Sequence, residues 1–292
     1  MRATLGLEAA VGATLGERVV ATTPVPGGSI NDAWRCELAS SRSVFVKSRG
    51  DAAASEFEAE AVGLRWLADA GARVPRVLGT AGKPALIVLE WIEPGSLSSH
   101  GAERLGGKLA TLHRAGADAF GSLAPGSADD LLRIGSVELA LVEAQSWASL
   151  YGEQLLEPLA RRAQDLGAIS SADAHAIDRL CEHLDALVGG PEPPARLHGD
   201  LWAGNVLADT SGDAWLIDPA AYGGHREIDL AMLRLFGSPS PRVFAAYEDA
   251  YPLVDGHAER VELWQLLPLL VHSVLFGGSY GAAAGRIARR YL

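Results

Sequence analysis

The run Leu197-His198-Gly199-Asp200-Leu201-Trp202-Ala203-Gly204-Asn205, followed by Ile217-Asp218-Pro219, constrains this chain more than any other feature. It orders a carboxylate, an amide and a second carboxylate around two short apolar runs. These are Val206-Leu207-Ala208 and Trp215-Leu216-Ile217, separated by the turn residues Thr210-Ser211-Gly212-Asp213. The pattern predicts strand–loop–strand. A hairpin there returns Asp218 to the end that holds Asn205, where both reach one metal cluster. The order and spacing are those that phosphoryl transfer from MgATP requires: a base for the acceptor hydroxyl, then an amide and a carboxylate for magnesium. Asp200 is the candidate base, and Asn205 and Asp218 are the candidate metal ligands. Each is an ordinary turn former alone; their combination on an apolar hairpin carries the inference. His198 is expected to hold the loop through backbone hydrogen bonds, because Asp200 already serves as base.

The first ninety residues read as mostly β with one helix. Strands are predicted over 18–22, 33–38 and 43–46, with a glycine turn at Pro26-Gly27-Gly28-Ser29-Ile30-Asn31. A strand–glycine turn–strand ahead of a lysine-bearing strand is how a kinase covers nucleotide phosphates. Gly27, Gly28 and Ser29 are therefore nucleotide-binding candidates. Lys47 ends a strand, and the following helix, 52–70, carries Glu60 in the middle of an apolar face of Phe57, Ala61, Leu64 and Leu67. A carboxylate there is costly unless paired, and Lys47 is its natural partner, with Glu56 the fallback. Such a pair aims a lysine at the α- and β-phosphates. Ala85 to Ile92 is a near-continuous apolar run, consistent with a buried strand, broken by Glu93-Pro94-Gly95-Ser96. This break is expected to be a hinge whose backbone near Glu90, Trp91 and Ile92 meets the adenine. It divides the chain into an N-lobe, 1–92, and a C-lobe, 93–292.

Beyond the hinge the periodicity is helical. Helices are expected over 99–115, one or two within 131–166, then 170–188, 228–236, 241–251 and a longer one over 261–276. The fold class is α+β, a small β-rich lobe over a larger, mainly helical one. Asp229 is expected to cap its helix or bond back to the catalytic loop. His225 and Arg226 are candidates for contact with phosphates or substrate, with a surface position the alternative. The remaining histidines, His272 among them, form no metal pattern and are expected in the core or on the surface.

A net charge of −11 argues against nucleic acid or an anionic membrane as the main partner. Hydrophobic residues make up 48% and charged residues 21%, the balance of a soluble globular protein. Cys36 and Cys181 lie far apart, which fits a reducing, cytoplasmic setting. The N-terminus shows no signal-peptide pattern. The apolar stretch Leu266 to Phe276 is too short to span a bilayer.

Together, H-G-D-L-W-A-G-N at 198–205, I-D-P-A at 217–220, G-H-R-E-I-D-L-A at 224–231 and F-G-G-S-Y-G at 276–281 resemble the fructosamine kinase family. G-G-S-I-N at 27–31, V-K-S at 46–48 and F-E-A-E at 57–60 match as well, so the resemblance covers nearly the whole chain. It implies a two-lobed protein-kinase-like fold, ATP and Mg2+ as cofactors, and phosphorylation of the 3-hydroxyl of ketosamines, free or protein-bound. The phosphorylated adduct then falls apart and frees the amine, which is deglycation. Carried over by position, Lys47 and Glu60 set the phosphates, Asp200 is the base, Asn205 and Asp218 bind magnesium, and Trp202 lines the acceptor site, with packing under the loop as its alternative. Ala203 stands where Gly is frequent, and Ser29 where some relatives carry Cys. The competing readings are a kinase of an aminoglycoside, choline or homoserine, and a nucleotide-binding pseudokinase; the latter would lack at least one of Lys47, Asp200, Asn205 and Asp218. A protein kinase fits poorly, since Pro219 rather than Phe follows Asp218.

Overall fold

Period-two alternation in the N-terminal strands builds a sheet with a different partner on each face. The computed structural model describes residues 2–26, 31–237 and 239–292. Helix α1 (Arg2–Leu15) precedes strands β1 (Val19–Pro24), β2 (Asp32–Leu38) and β3 (Ser43–Ser48); helix α2 (Ala54–Asp69), β4 (Val77–Gly82) and β5 (Ala85–Glu90) follow. The five strands pair antiparallel in the order β1-β2-β3-β5-β4. Val44, Val46, Leu86 and Val88 pack with Leu7 and Val11 of α1. The alternate residues Ile87 and Leu89 join Phe57, Ala61, Leu64 and Leu67 of α2 on the other face. Register sets Lys47 opposite Ile87 and Phe45 opposite Leu89, so lysine and phenylalanine share the α2 face.

The rest is mainly helical. Helix α3 (Ser99–Arg114) is capped by Ser98, whose hydroxyl accepts from the Gly101 amide. Strands β6 (Leu131–Ile134) and β7 (Val137–Ala140) form a hairpin. Then come α4 (Trp147–Ser149), a π-helical turn (Leu150–Leu156), α5 (Glu157–Asp165), α6 (Ser171–Cys181) and α7 (Leu184–Leu187). Strand β8 (Ala195–Leu197) leads into the catalytic segment, followed by β9 (Val206–Ala208), β10 (Ala214–Leu216) and β11 (Tyr222–Gly224), which pairs with β8. Helices α8 (Glu227–Leu235), α9 (Pro241–Ala250), α10 (His257–Trp264), α11 (Leu266–Phe276) and α12 (Tyr280–Arg290) complete the chain. Among the described residues no helix is long and apolar enough to cross a membrane.

The two-lobed α+β arrangement is the one the sequence predicts, with local differences. The N-lobe carries two helices, not one, because α1 covers the sheet face opposite α2. The segment expected to begin helical at Leu131 begins as the β6–β7 hairpin. Ile134 pairs with Val137 across Gly135-Ser136, and Gly135 takes a φ of 60°, the left-handed backbone a two-residue hairpin turn needs. The long helix expected over 261–276 breaks at Gln265, since Pro268 lies in the first turn of α11 and has no N–H for the preceding turn. The helix expected over 170–188 likewise divides into α6 and α7.

Candidate active site

The segment after β8 is held open by a carboxylate beneath it. Asp229 of α8 accepts from the backbone amides of His198 at 2.7 Å and Gly199 at 2.9 Å, with His113 Nε2 at 3.2 Å. Burial alone would raise the Asp229 pKa; the bond from His113 and the two amides outweigh it and hold it below the usual carboxylate range. Asp229 thus bonds back to the loop. Gly199 has a φ of 82°, and a Cβ there would run into the Ala220 carbonyl, so only glycine fits this turn. His198 Nδ1 accepts from the Asp200 amide at 3.3 Å, which leaves Nε2–H to donate to the Ile217 carbonyl at 3.0 Å. Burial lowers the His198 pKa and keeps it neutral. It ties the Asp200 loop to the Asp218 strand, a structural role.

Asp200 and Asn205 are neighbours: the Asn205 amide nitrogen donates to the Asp200 carbonyl at 2.8 Å and to its carboxylate at 3.1 Å. Among the described residues, Asn205 Oδ1, the other end of that amide, takes no hydrogen bond. Burial first, then the charge of Asp218, push the Asp200 carboxyl up to about 7, against the lowering bond from Asn205. Asp218 follows β10 at a φ of 56°. Its carboxylate lies 2.9 Å from Lys47 Nζ, which also meets Glu60 at 2.6 Å. Burial disfavours the ammonium, but Asp218 and Glu60 outweigh it and hold Lys47 protonated well above its ordinary range. Glu56 instead pairs with Arg49 at 2.5 Å.

These side chains border one cleft of about 930 Å³ between the sheet and the helical lobe. Lys47, Glu60, Glu90, Trp91, Ile92, Asp200, Trp202, Asn205 and Asp218 all line it. Gly27, Gly28 and Ser29 lie outside the described residues. His225 and Arg226 do not line the cleft, and their expected contact with substrate is corrected. They are 4% and 3% exposed. Arg226 makes a two-pronged bond to Glu192 at 2.7 and 2.5 Å, and its guanidinium lies 3.8 Å from the Tyr251 ring centre. His225 is enclosed by Trp147 and Trp264. They anchor the helical lobe.

Asn205 and Asp218 offer an amide oxygen and a carboxylate facing the same cleft. Magnesium takes oxygen ligands and commonly uses one or two protein groups beside phosphates and water, so the residues present fit that ion. Among the described residues, no group of three or more His, Cys, Asp and Glu side chains forms a metal cage.

Two walls of the cleft were not read from the sequence. One is the β6–β7 hairpin with Asp129, Leu131 and Arg133; the other is aromatic, with Phe236, His272, Phe276 and Tyr280. A signal existed for each. Gly-Ser between alternating apolar residues marks a hairpin, and His272 and Phe276 stand four apart on one face of α11.

A sequence model of the fructosamine kinase family matches residues 8–292. A candidate ketoamine kinase of Lactiplantibacillus plantarum is 34% identical over 92% of this chain and 93% of its own length. The chloroplastic protein-ribulosamine 3-kinase of Oryza sativa subsp. japonica is 32% identical over 94% of this chain and 80% of its own. The crystal structure of a candidate fructosamine-3-kinase from Thermobifida fusca superposes with a TM-score of 0.89 at 40% identity, covering 98% of each chain.

Proposed function

The chain belongs to the fructosamine kinase family, and from that premise we propose that it transfers the γ-phosphoryl group of MgATP to the 3-hydroxyl of a ketosamine, a fructosamine or ribulosamine adduct. The observation that carries this is the convergence of Lys47, Asp200, Asn205 and Asp218 on one cleft that continues past Asp200 to the exposed indole of Trp202. Lys47, fixed by Glu60, meets the α- and β-phosphates, and the backbone of Glu90 to Ile92 meets the adenine. Asp200 accepts the proton as the acceptor oxygen bonds to the γ-phosphorus and the bond to the β,γ-bridging oxygen breaks, releasing ADP. Asn205 and Asp218 would hold magnesium, which would supply neutralisation of charge on the phosphoryl group. Trp202 walls the sugar. The phosphorylated adduct then decomposes, freeing the amine.

The test is ATP-dependent phosphorylation of a fructosamine, a ribulosamine, choline and kanamycin, with mass spectrometry of the products. Phosphate on either ketosamine and on neither other compound is expected. Transfer to choline or kanamycin alone would leave the fold and overturn the substrate class.

A further inference from the structure

We propose that an aromatic shelf running from Trp202 through Phe236 and His272 to Phe276 and Tyr280 holds the amine-bearing arm of the acceptor, and that it selects arms that are apolar and carry no second charge near the nitrogen. The inference rests on the ketosamine kinase reading above and deepens it, naming what the far end of the cleft recognises.

The rings form an unbroken series. Trp202 meets Phe236 edge-on with centroids 6.5 Å apart, and Phe236 lies 4.5 Å from His272. His272 in turn lies 5.2 Å from Tyr280 and 5.5 Å from Phe276. The Trp202 indole folds over Gly204, where a Cβ would collide with it, so the start of the shelf is fixed beside Asn205. Trp202 is 39% and Phe276 51% exposed, among the few large apolar side chains left in solvent. A contiguous apolar patch that begins two residues from the base and continues the same cleft is a binding surface.

The positive charge nearest to it is already paired. His272 Nδ1 lies 2.7 Å from the Pro268 carbonyl, and burial keeps the imidazole below its ordinary pKa, so it faces the cleft neutral at pH 7. On the facing hairpin, Arg133 is held by Asp129 at 2.6 and 2.9 Å and by Glu138 at 3.1 Å, so it offers no free cation to a carboxylate. A ketosamine carries its nitrogen two carbons from the hydroxyl-bearing C3. With that hydroxyl at Asp200, the ammonium falls within reach of the indole face, an attractive pairing. The substituent beyond the nitrogen then lies along Phe236, Phe276 and Tyr280. An alkyl chain gains burial there, whereas a carboxylate would lose water against neutral rings.

The experiment uses three adducts of one ketose, made from methylamine, butylamine and glycine, with the wild type, Phe276→Ala and Tyr280→Ala. In the wild type, KM for the butylamine adduct is expected about tenfold below that for the methylamine adduct, and the glycine adduct is expected to be the poorest. Phe276→Ala and Tyr280→Ala are expected to raise KM several-fold for the butylamine adduct, with KM for ATP unchanged and less than about a twofold change for the methylamine adduct. Equal KM for the methylamine and butylamine adducts, or a variant that penalises both alike, would overturn the shelf alone. No turnover of any adduct would overturn the parent reading and the shelf with it.

Discussion

Asp229 touches no substrate in the proposed mechanism, yet it fixes the loop that carries the base. Its carboxylate takes both amide donors of His198 and Gly199 and the ring of His113, which also bonds Tyr247 at 2.8 Å. Asp229→Asn is expected to cost about 2–3 kcal/mol at pH 7, as loss of hydrogen bonds to a charged group does. The pH dependence has a definite sign. The folded pKa is depressed, so the stabilisation is complete above the unfolded aspartate value, about 3.9. It is lost as pH falls through the lower, folded value. Urea denaturation at pH 7 and below pH 4 should therefore show the gap between wild type and variant shrinking in acid; a constant gap would mean that Asp229 acts through shape alone. Asp200→Asn tests the base: turnover is expected to fall by about 10²–10⁴ with nucleotide affinity kept, and near-normal kcat would remove Asp200 from that role. Trp202→Ala is expected to raise the acceptor KM more than the ATP KM, whereas equal effects would favour a packing role for the indole.

The metal-bearing hairpin shows what was legible in the sequence and what was not. Its strands and turn are written locally, in two apolar triplets around Thr210-Ser211-Gly212-Asp213, and the Lys47–Glu60 pair is foreshadowed by a carboxylate on an apolar helix face. What holds the hairpin in place is not local. Arg73 gives its backbone carbonyl to the Leu216 amide at 2.8 Å, and its guanidinium pairs with Asp209 and Asp213. The hairpin tip abuts α3, with the Ser98 hydroxyl donating to the Gly212 carbonyl at 3.0 Å. No period or motif announces such contacts between distant segments, and His225 and Arg226 were misplaced for the same reason, since their partner Glu192 stands far off in sequence. Two glycines of α3 test the contact. A Cβ at Gly101 would meet the Gly212 backbone, while one at Gly107 would meet nothing within 4 Å. Gly101→Ala is expected to lower Tm by about 2–6 °C through overpacking. Gly107→Ala should raise stability by about 1 kcal/mol through helix propensity. Shifts of the same sign, read by calorimetry, would deny that the hairpin presses on α3.

One buried cluster crosses between the two lobes, and they are expected to fold as one unit. Phe57, Ala61, Leu64 and Leu67 of α2 and Ile87 and Leu89 of β5 belong to the same apolar cluster as Leu105 and Leu109 of α3, Leu201 of the catalytic loop, Leu216 of β10 and Leu230 of α8. The sheet therefore rests on the catalytic segment itself, and Lys47 reaches Asp218 across that shared floor. A cleft assembled from both lobes needs such a floor, since a lysine on one lobe and a carboxylate on the other keep their spacing only if the base between them does not shear. Leu64 is 1% exposed and Leu230 2% exposed. Truncating either to alanine is expected to cost about 2–5 kcal/mol. Because the cluster is common, each variant should shift a single transition of the whole molecule, with coincident circular dichroism and calorimetric curves. A biphasic unfolding curve in which Leu64→Ala moves one phase and Leu230→Ala the other would show that the lobes melt separately and that the Lys47–Asp218 contact spans a hinge rather than a core.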